Sequence, residues 1–205
     1  GMTPTQLLND LGLFDYGGGG YHCVYMDDKD IEIFKEKKLT AVTNPASNLK
    51  LASGIAPVSR FLKEGIPVAI GTDGAGSNNC LDMFREMFLV TGLAKYRDMD
   101  AASTDAIEVL KMATVNGAKA MGLTGSDVLA PGKYADLIMI DMHQPNMQPI
   151  NNIAKNIVYS GSKQNVKMTM IDGKILYEDG KFFIGEDPEK LYAKANEIAD
   201  RLRQE

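Results

Sequence analysis

An α/β fold, with a parallel sheet or barrel segment in the first part of the chain and a small antiparallel sheet after it, is predicted by three features of the sequence. Short apolar runs alternate with helix-period segments through the first third in the order β-α-β-α-β, the pattern of parallel strands joined by crossover helices. The run Val68-Ala69-Ile70-Gly71 stops at Thr72-Asp73-Gly74, as a buried strand does where it ends in a turn. Beyond Ser126 the character changes, and Asp172-Gly173 between two apolar stretches is the strongest hairpin signal in the chain. The expected domains are residues 2–125 and 126–205.

Composition bounds the function. An apolar content of 44% over 205 residues suits a packed globular chain and not a disordered one. A formal net charge of −5 without a Lys/Arg cluster leaves no electrostatic footprint for nucleic acid or anionic lipid, so neither partner is expected. No apolar run approaches the roughly 20 residues that span a bilayer, and no charged-then-apolar leader opens the chain; a cytoplasmic location is expected. Cys23 and Cys80 lie far apart with no zinc-binding spacing, which fits free thiols in a reducing compartment.

In chain order, Thr3-Pro4-Thr5-Gln6 reads as a helix start, Thr3 capping, Pro4 in the first turn and Gln6 closing a capping box; the helix is expected to reach about Leu13. Gly17 to Gly20 lead into a strand through Tyr21-His22-Cys23-Val24. No Gly-Lys-Ser/Thr follows, so these glycines read as a flexible connection and not a phosphate loop. Asp27, Asp28 and Asp30 open a helix carrying Ile31, Ile33 and Phe34, and Leu39 to Val42 resume as strand. Residues 43–54 read as a long polar loop whose Asn and Ser side chains suit substrate hydrogen bonds. A helix from about Ile55 to Lys63 precedes the Val68–Gly71 strand. The Met-rich helix from Leu81 to about Ala94 reads as core packing, and a further helix starts at Ser103 or Thr104 and continues past Asn116-Gly117 to Met121. Strands are expected at 135–141, 156–159 and 166–171, the last entering the hairpin, and Asp187-Pro188 opens a final amphipathic helix.

Two residues stand out chemically. In a parallel α/β barrel the carboxyl ends of the strands carry the chemistry, so Asp73 is a candidate ligand or proton acceptor; its other reading is a turn aspartate capping the next helix. His22 is placed on a strand, either as a hydrogen-bonded core histidine or as a functional one. His143 lies in a Pro/Gln/Asn-rich connection with no His, Cys or acid at ligand spacing and is not expected to bind metal.

Three blocks, Tyr21-His22-Cys23-Val24, the segment from Asn44-Pro45-Ala46-Ser47-Asn48 to Val58, and Gly71-Thr72-Asp73-Gly74-Ala75-Gly76-Ser77-Asn78-Asn79 running on to Met83, stand in an order and spacing that resemble the amidohydrolase superfamily. The likeness is to its methylthioadenosine/S-adenosylhomocysteine deaminase and chlorohydrolase branch, and residues 113–122 and 131–137 resemble the closing segment of the same family. The resemblance implies a partial (β/α)8 TIM-type barrel, strands six to eight, plus the carboxyl-terminal part of a small β-sandwich. It implies a metal-dependent aminohydrolase, in which a water activated by zinc or iron deaminates an adenine- or guanine-like ring or a related amidine carbon. By the same resemblance Asp73 binds the metal and takes a proton from the water, His22 hydrogen-bonds the attacking oxygen or the substrate, and Ser47 and Asn48 approach a nucleoside or heterocycle. The family's His-x-His and its fifth-strand histidine and glutamate have no counterpart here, because His22 and His143 are the chain's two histidines. This chain alone is therefore expected to be inactive and metal-free, and its uncovered barrel edges are expected to drive self-association. The competing reading is a non-catalytic remnant that serves only in assembly with itself or in complementing another chain.

Overall fold

The computed structural model describes residues 1–204. It forms two compact units: Gly1–Val128 together with Met142–Lys163, and Leu129–Asp141 together with the described chain from Gln164 onward. The stretch 142–163, placed by its sequence in a second domain of 126–205, thus belongs with the first unit.

The first unit opens with α1 (Pro4–Asp10), β1 (Gly19–Tyr21), α2 (Asp28–Glu36), β2 (Thr40–Thr43), α3 (Pro45–Lys50), α4 (Val58–Lys63) and β3 (Val68–Ile70). The three strands form one parallel sheet in the order β1-β2-β3, with Tyr21 opposite Val42 and Val42 opposite Ala69. Among the described residues the outer flanks of β1 and β3 have no strand partner, so the expected barrel segment is an open three-stranded sheet and no barrel closes. Phe34, Leu39, Phe61 and Val68 are fully or almost fully buried. Parallel sheets need this cover, because crossover helices bury their faces.

Several local expectations are corrected. Thr3 caps α1 through the Gln6 amide, but the Gln6 side chain reaches Asp27 and Asp30. The reciprocal box forms instead at α2, where the Asp30 amide donates to Asp27 Oδ1 at 2.9 Å and the Asp27 amide to Asp30 Oδ2 at 3.0 Å. β1 stops at Tyr21, and His22 and Cys23 leave it at φ 66° and 49°, so His22 follows the strand and does not stand on it. The expected loop 43–54 contains α3, whose Pro45 occupies the first turn where a missing amide hydrogen costs nothing.

The unit continues with α5 (Ala75–Asn78), α6 (Met83–Asp98), α7 (Ala106–Ala113) and α8 (Val115–Ala120). Asp82 caps α6 through the Phe84 amide, and Met99 at φ 53° ends it. Phe84, Met87, Val90 and Ala94 are buried along α6, so the Met-rich segment packs as expected at Met87, while Leu81, the expected helix start, precedes α6 and is exposed. Asp105, not Ser103 or Thr104, caps α7. α8 is tied to β3 by the Asn116 side-chain amide, which donates to the Val68 carbonyl at 2.8 Å.

The second unit begins with β4 (Leu137–Ile140). The chain then returns to the first unit for α9 (Ile153–Ser160), where a strand was expected at 156–159. Asn152 accepts from the Lys155 amide as N-cap, and Val158 is fully buried as α9 packs on α6 and α7. A short apolar run cannot separate a strand from a buried helix turn by periodicity alone. β5 (Val166–Ile171), β6 (Lys174–Glu178), β7 (Lys181–Phe182) and α10 (Pro188–Gln204) complete the second unit. Its sheet is antiparallel in the order β4-β5-β6-β7, and Asp172 and Gly173, at φ 49° and 73°, make the expected hairpin turn. Among the described residues no helix is long and apolar enough to cross a membrane.

Candidate active site at the carboxyl edge of the parallel sheet

β1 and β3 flank β2 and run in the same direction, so the residues following them emerge at one edge. Those residues are His22 and Asp73, and both take left-handed backbone conformations, at φ 66° and 59°. Non-glycine residues rarely adopt these. His22 Nε2 and Asp73 Oδ2 lie 3.8 Å apart, beyond a direct hydrogen bond but within one strong electrostatic field. The separation of about 10 Å or less that two strand spacings allow is met.

The carboxylate is held by donors. Ser47 Oγ donates to Asp73 Oδ2 at 2.6 Å and the Gly74 amide to Oδ1 at 2.8 Å. Hydrogen bonds from Ser47, then Ser77, then the Gly74 amide hold the Asp73 carboxyl down at about 2, with the His22 ring adding a smaller pull in the same direction. On the other side His22 Nδ1 is 2.7 Å from Asn48 Oδ1. A carbonyl oxygen only accepts, so Nδ1 carries the hydrogen and Nε2 is the atom turned toward Asp73.

Ser47 and Asn48 are both buried. Their polar atoms are engaged with Asp73 and His22, so the structure unites all four residues singled out from the sequence, with Ser47 and Asn48 behind the other two. Beside them, Gly71 leaves room for the buried Asn44 side chain. A Cβ there would come within 2.4 Å of Asn44 Oδ1 and 3.4 Å of Val42 Cγ1. In front lies an open groove of about 560 Å³, bordered by Leu8, Tyr21, His22, Tyr25, Leu51 and Asp73.

The sequence reading gave Glu86 no role, and gave Asn78 none beyond its place in the third block. Glu86 on α6 is fully buried, accepting from the Ala46 amide at 3.0 Å and from Asn78 Nδ2 at 2.8 Å. Burial pushes its carboxyl up, and those two hydrogen bonds pull in the opposite direction. The available signal was an acid spaced by four from the buried Val90, and Val90 by four from Ala94, on a packing stripe.

A catalytic zinc site takes three protein ligands. Among the described residues no three His, Cys, Asp or Glu side chains are grouped to hold an ion. These residues by themselves do not fit a complete metal centre.

Parallel strands that deliver an acid and a histidine to one carboxyl-terminal edge, over a groove, have the arrangement in which α/β-barrel proteins carry their active sites. The chain belongs to the amidohydrolase family, whose model matches residues 1–176, and the match is to the carboxyl-terminal half of that family. It is 43% identical over 204 residues to the 5-methylthioadenosine/S-adenosylhomocysteine deaminase of Caldanaerobacter subterraneus, covering 98% of this chain and 47% of that protein. It is 41% identical over 202 residues to the 5'-deoxyadenosine deaminase of Methanosarcina mazei, covering 98% and 46%. Among solved structures, an adenosine deaminase from Xanthomonas campestris with bound zinc superposes with a TM-score of 0.93 at 33% identity, over 100% of this chain and 46% of that one. The chain thus spans about half the length of the curated relatives it matches.

Proposed function

We propose that this chain supplies one side of the active site of a hydrolytic deaminase, which replaces the exocyclic amino group of an adenine-like ring with oxygen from water and releases ammonia. The carrying observation is the 3.8 Å pairing of His22 and Asp73 over the sheet edge, in a chain whose relatives are named for deaminating methylthioadenosine, S-adenosylhomocysteine and 5'-deoxyadenosine. Further groups, including other ligands of a zinc or iron ion, come from outside the described residues. Such an ion, when bound, supplies a Lewis acid and an acidified water.

Within this reading Asp73, ionised throughout the physiological range, is one anionic ligand. A carboxyl near 2 is a weak proton acceptor, so its second role, as base, calls for the Ser47 or Gly74 hydrogen bond to loosen as the proton arrives. His22, with Nδ1–H fixed on Asn48, presents Nε2 to the attacking oxygen or to a ring nitrogen. Ser47 and Asn48 act by orienting these two groups.

The second reading, a chain that takes no part in catalysis, draws on the lack of a three-ligand group among the described residues. Ammonia release separates the two. The purified chain is mixed with zinc, 5'-methylthioadenosine and the amino-terminal half of the Caldanaerobacter relative. The deaminase reading expects ammonia from the mixture, none from this chain alone, and none from the mixture when the chain carries Asp73→Asn. A mixture that associates yet releases no ammonia would favour the second reading.

A further inference from the structure

We propose that Glu86 is a positioning residue for this site: a buried acceptor on α6 that holds α3 and the Thr72–Gly74 turn together so that Ser47 reaches Asp73. Its functional meaning rests on the deaminase reading; the geometry stands apart from it.

Two connected paths leave the one carboxylate. Oε2 accepts from the Ala46 amide at 3.0 Å. Ala46 lies in the first turn of α3, where amides have no acceptor within the helix and where Asn44 makes no side-chain cap. The next residue, Ser47, donates to Asp73 Oδ2 at 2.6 Å. Along the other path Oε1 accepts from Asn78 Nδ2 at 2.8 Å, and the same nitrogen donates its second hydrogen to the Thr72 carbonyl at 2.6 Å, immediately before Asp73. The paths meet at Asp73, one through its side chain and one through its backbone.

A packing role does not account for an acid here. Burying a carboxylate is costly unless its oxygens are matched, and Met or Leu would fill the same stripe beside Phe84, Met87 and Val90. Both groups facing Glu86 are donors, and an ionised carboxylate is the side chain that offers acceptors alone. A glutamine of nearly the same shape would turn an NH2 toward one of them.

Hydrogen exchange by NMR on the full chain, with no metal or substrate added, tests this through the Ala46 and Gly74 amides and the Asn78 side-chain NH2. In Glu86→Met all three are expected to exchange at least about tenfold faster, while the Ala41 and Gly71 amides of the sheet hold their rates, the mark of a local opening. Glu86→Gln keeps one acceptor, so either Ala46 or Asn78 speeds up and the other holds. Should Glu86→Met fail to fold, Asn78→Ser cuts one path alone and is expected to speed Gly74 while sparing Ala46. Unchanged Ala46, Asn78 and Gly74 protection, or a uniform acceleration that includes the sheet amides, would overturn the proposal. Since no readout involves ammonia, a chain that shows the expected pattern but yields no ammonia when mixed with zinc, substrate and the amino-terminal half of the relative would overturn only the deaminase reading, and a deaminating mixture whose chain lacks the pattern would overturn only this one.

Discussion

Asp73 combines three donors, a left-handed backbone and a facing imidazole, and its proton affinity reports on all of them. Because Ser47 is the largest contributor to the lowered value, Ser47→Ala should move the Asp73 carboxyl up from about 2 toward the ordinary aspartate value of about 3.9, read by carbon-detected NMR titration. An unmoved midpoint would mean that the Ser47 bond is not formed in solution. The sign for stability follows from linkage. A carboxyl lower in the folded chain than in the unfolded one stabilises the fold above the unfolded value, and that contribution is lost as pH falls through about 2. Urea midpoints measured from pH 5 downward should therefore fall less steeply for Asp73→Asn than for the parent chain.

Gly71 shows how an element sets the site. Its hydrogen Cα leaves room for the Asn44 side chain, 2.4 Å from where a Cβ would stand, and Asn44 is itself buried. Gly71→Ala should destabilise the chain by about 1–3 kcal/mol, the usual cost of overfilling a packed position, measured by chemical denaturation. A neutral result would show that Asn44 can yield. Elements with their own local signals were legible in the sequence: β2 and β3 by their apolar runs, α2 by its acids, and the hairpin by Asp172-Gly173, whereas β1 lies on Gly19-Gly20-Tyr21, ahead of the apolar run expected to form it. His22 and Asp73 were legible as strand-end residues within blocks resembling a family. α3 was not, because its polar side chains point at site residues and so read as loop. α9 was not, because its short apolar run Ile157-Val158-Tyr159 fits either period. Glu86 was hidden in a stripe whose methionines already had a sufficient explanation, and only the fold brings Ala46 and Asn78 to it.

For the molecule as a whole the open flanks of the parallel sheet matter most. β1 and β3 each present one edge without a strand partner among the described residues, and unpaired strand edges invite pairing with another chain. Next to the β1 edge Tyr21 is 75% exposed and Tyr25 84%, and exposed apolar surface of this kind marks interfaces when it is contiguous. A net charge of −5 opposes association only weakly at physiological ionic strength, where screening acts within about 8 Å. This chain by itself should therefore form dimers or larger assemblies at micromolar concentration, seen by sedimentation velocity. Tyr21→Lys, a change at an exposed position, should shift the distribution toward monomer, because a charge on an edge strand disfavours pairing. Adding the amino-terminal half of a relative should do so by competition, yielding a one-to-one complex. A parent chain that sediments as a monomer would show that the edges are protected by something other than a second chain, and an assembly indifferent to Tyr21→Lys would move the contact away from β1 to the flank of β3.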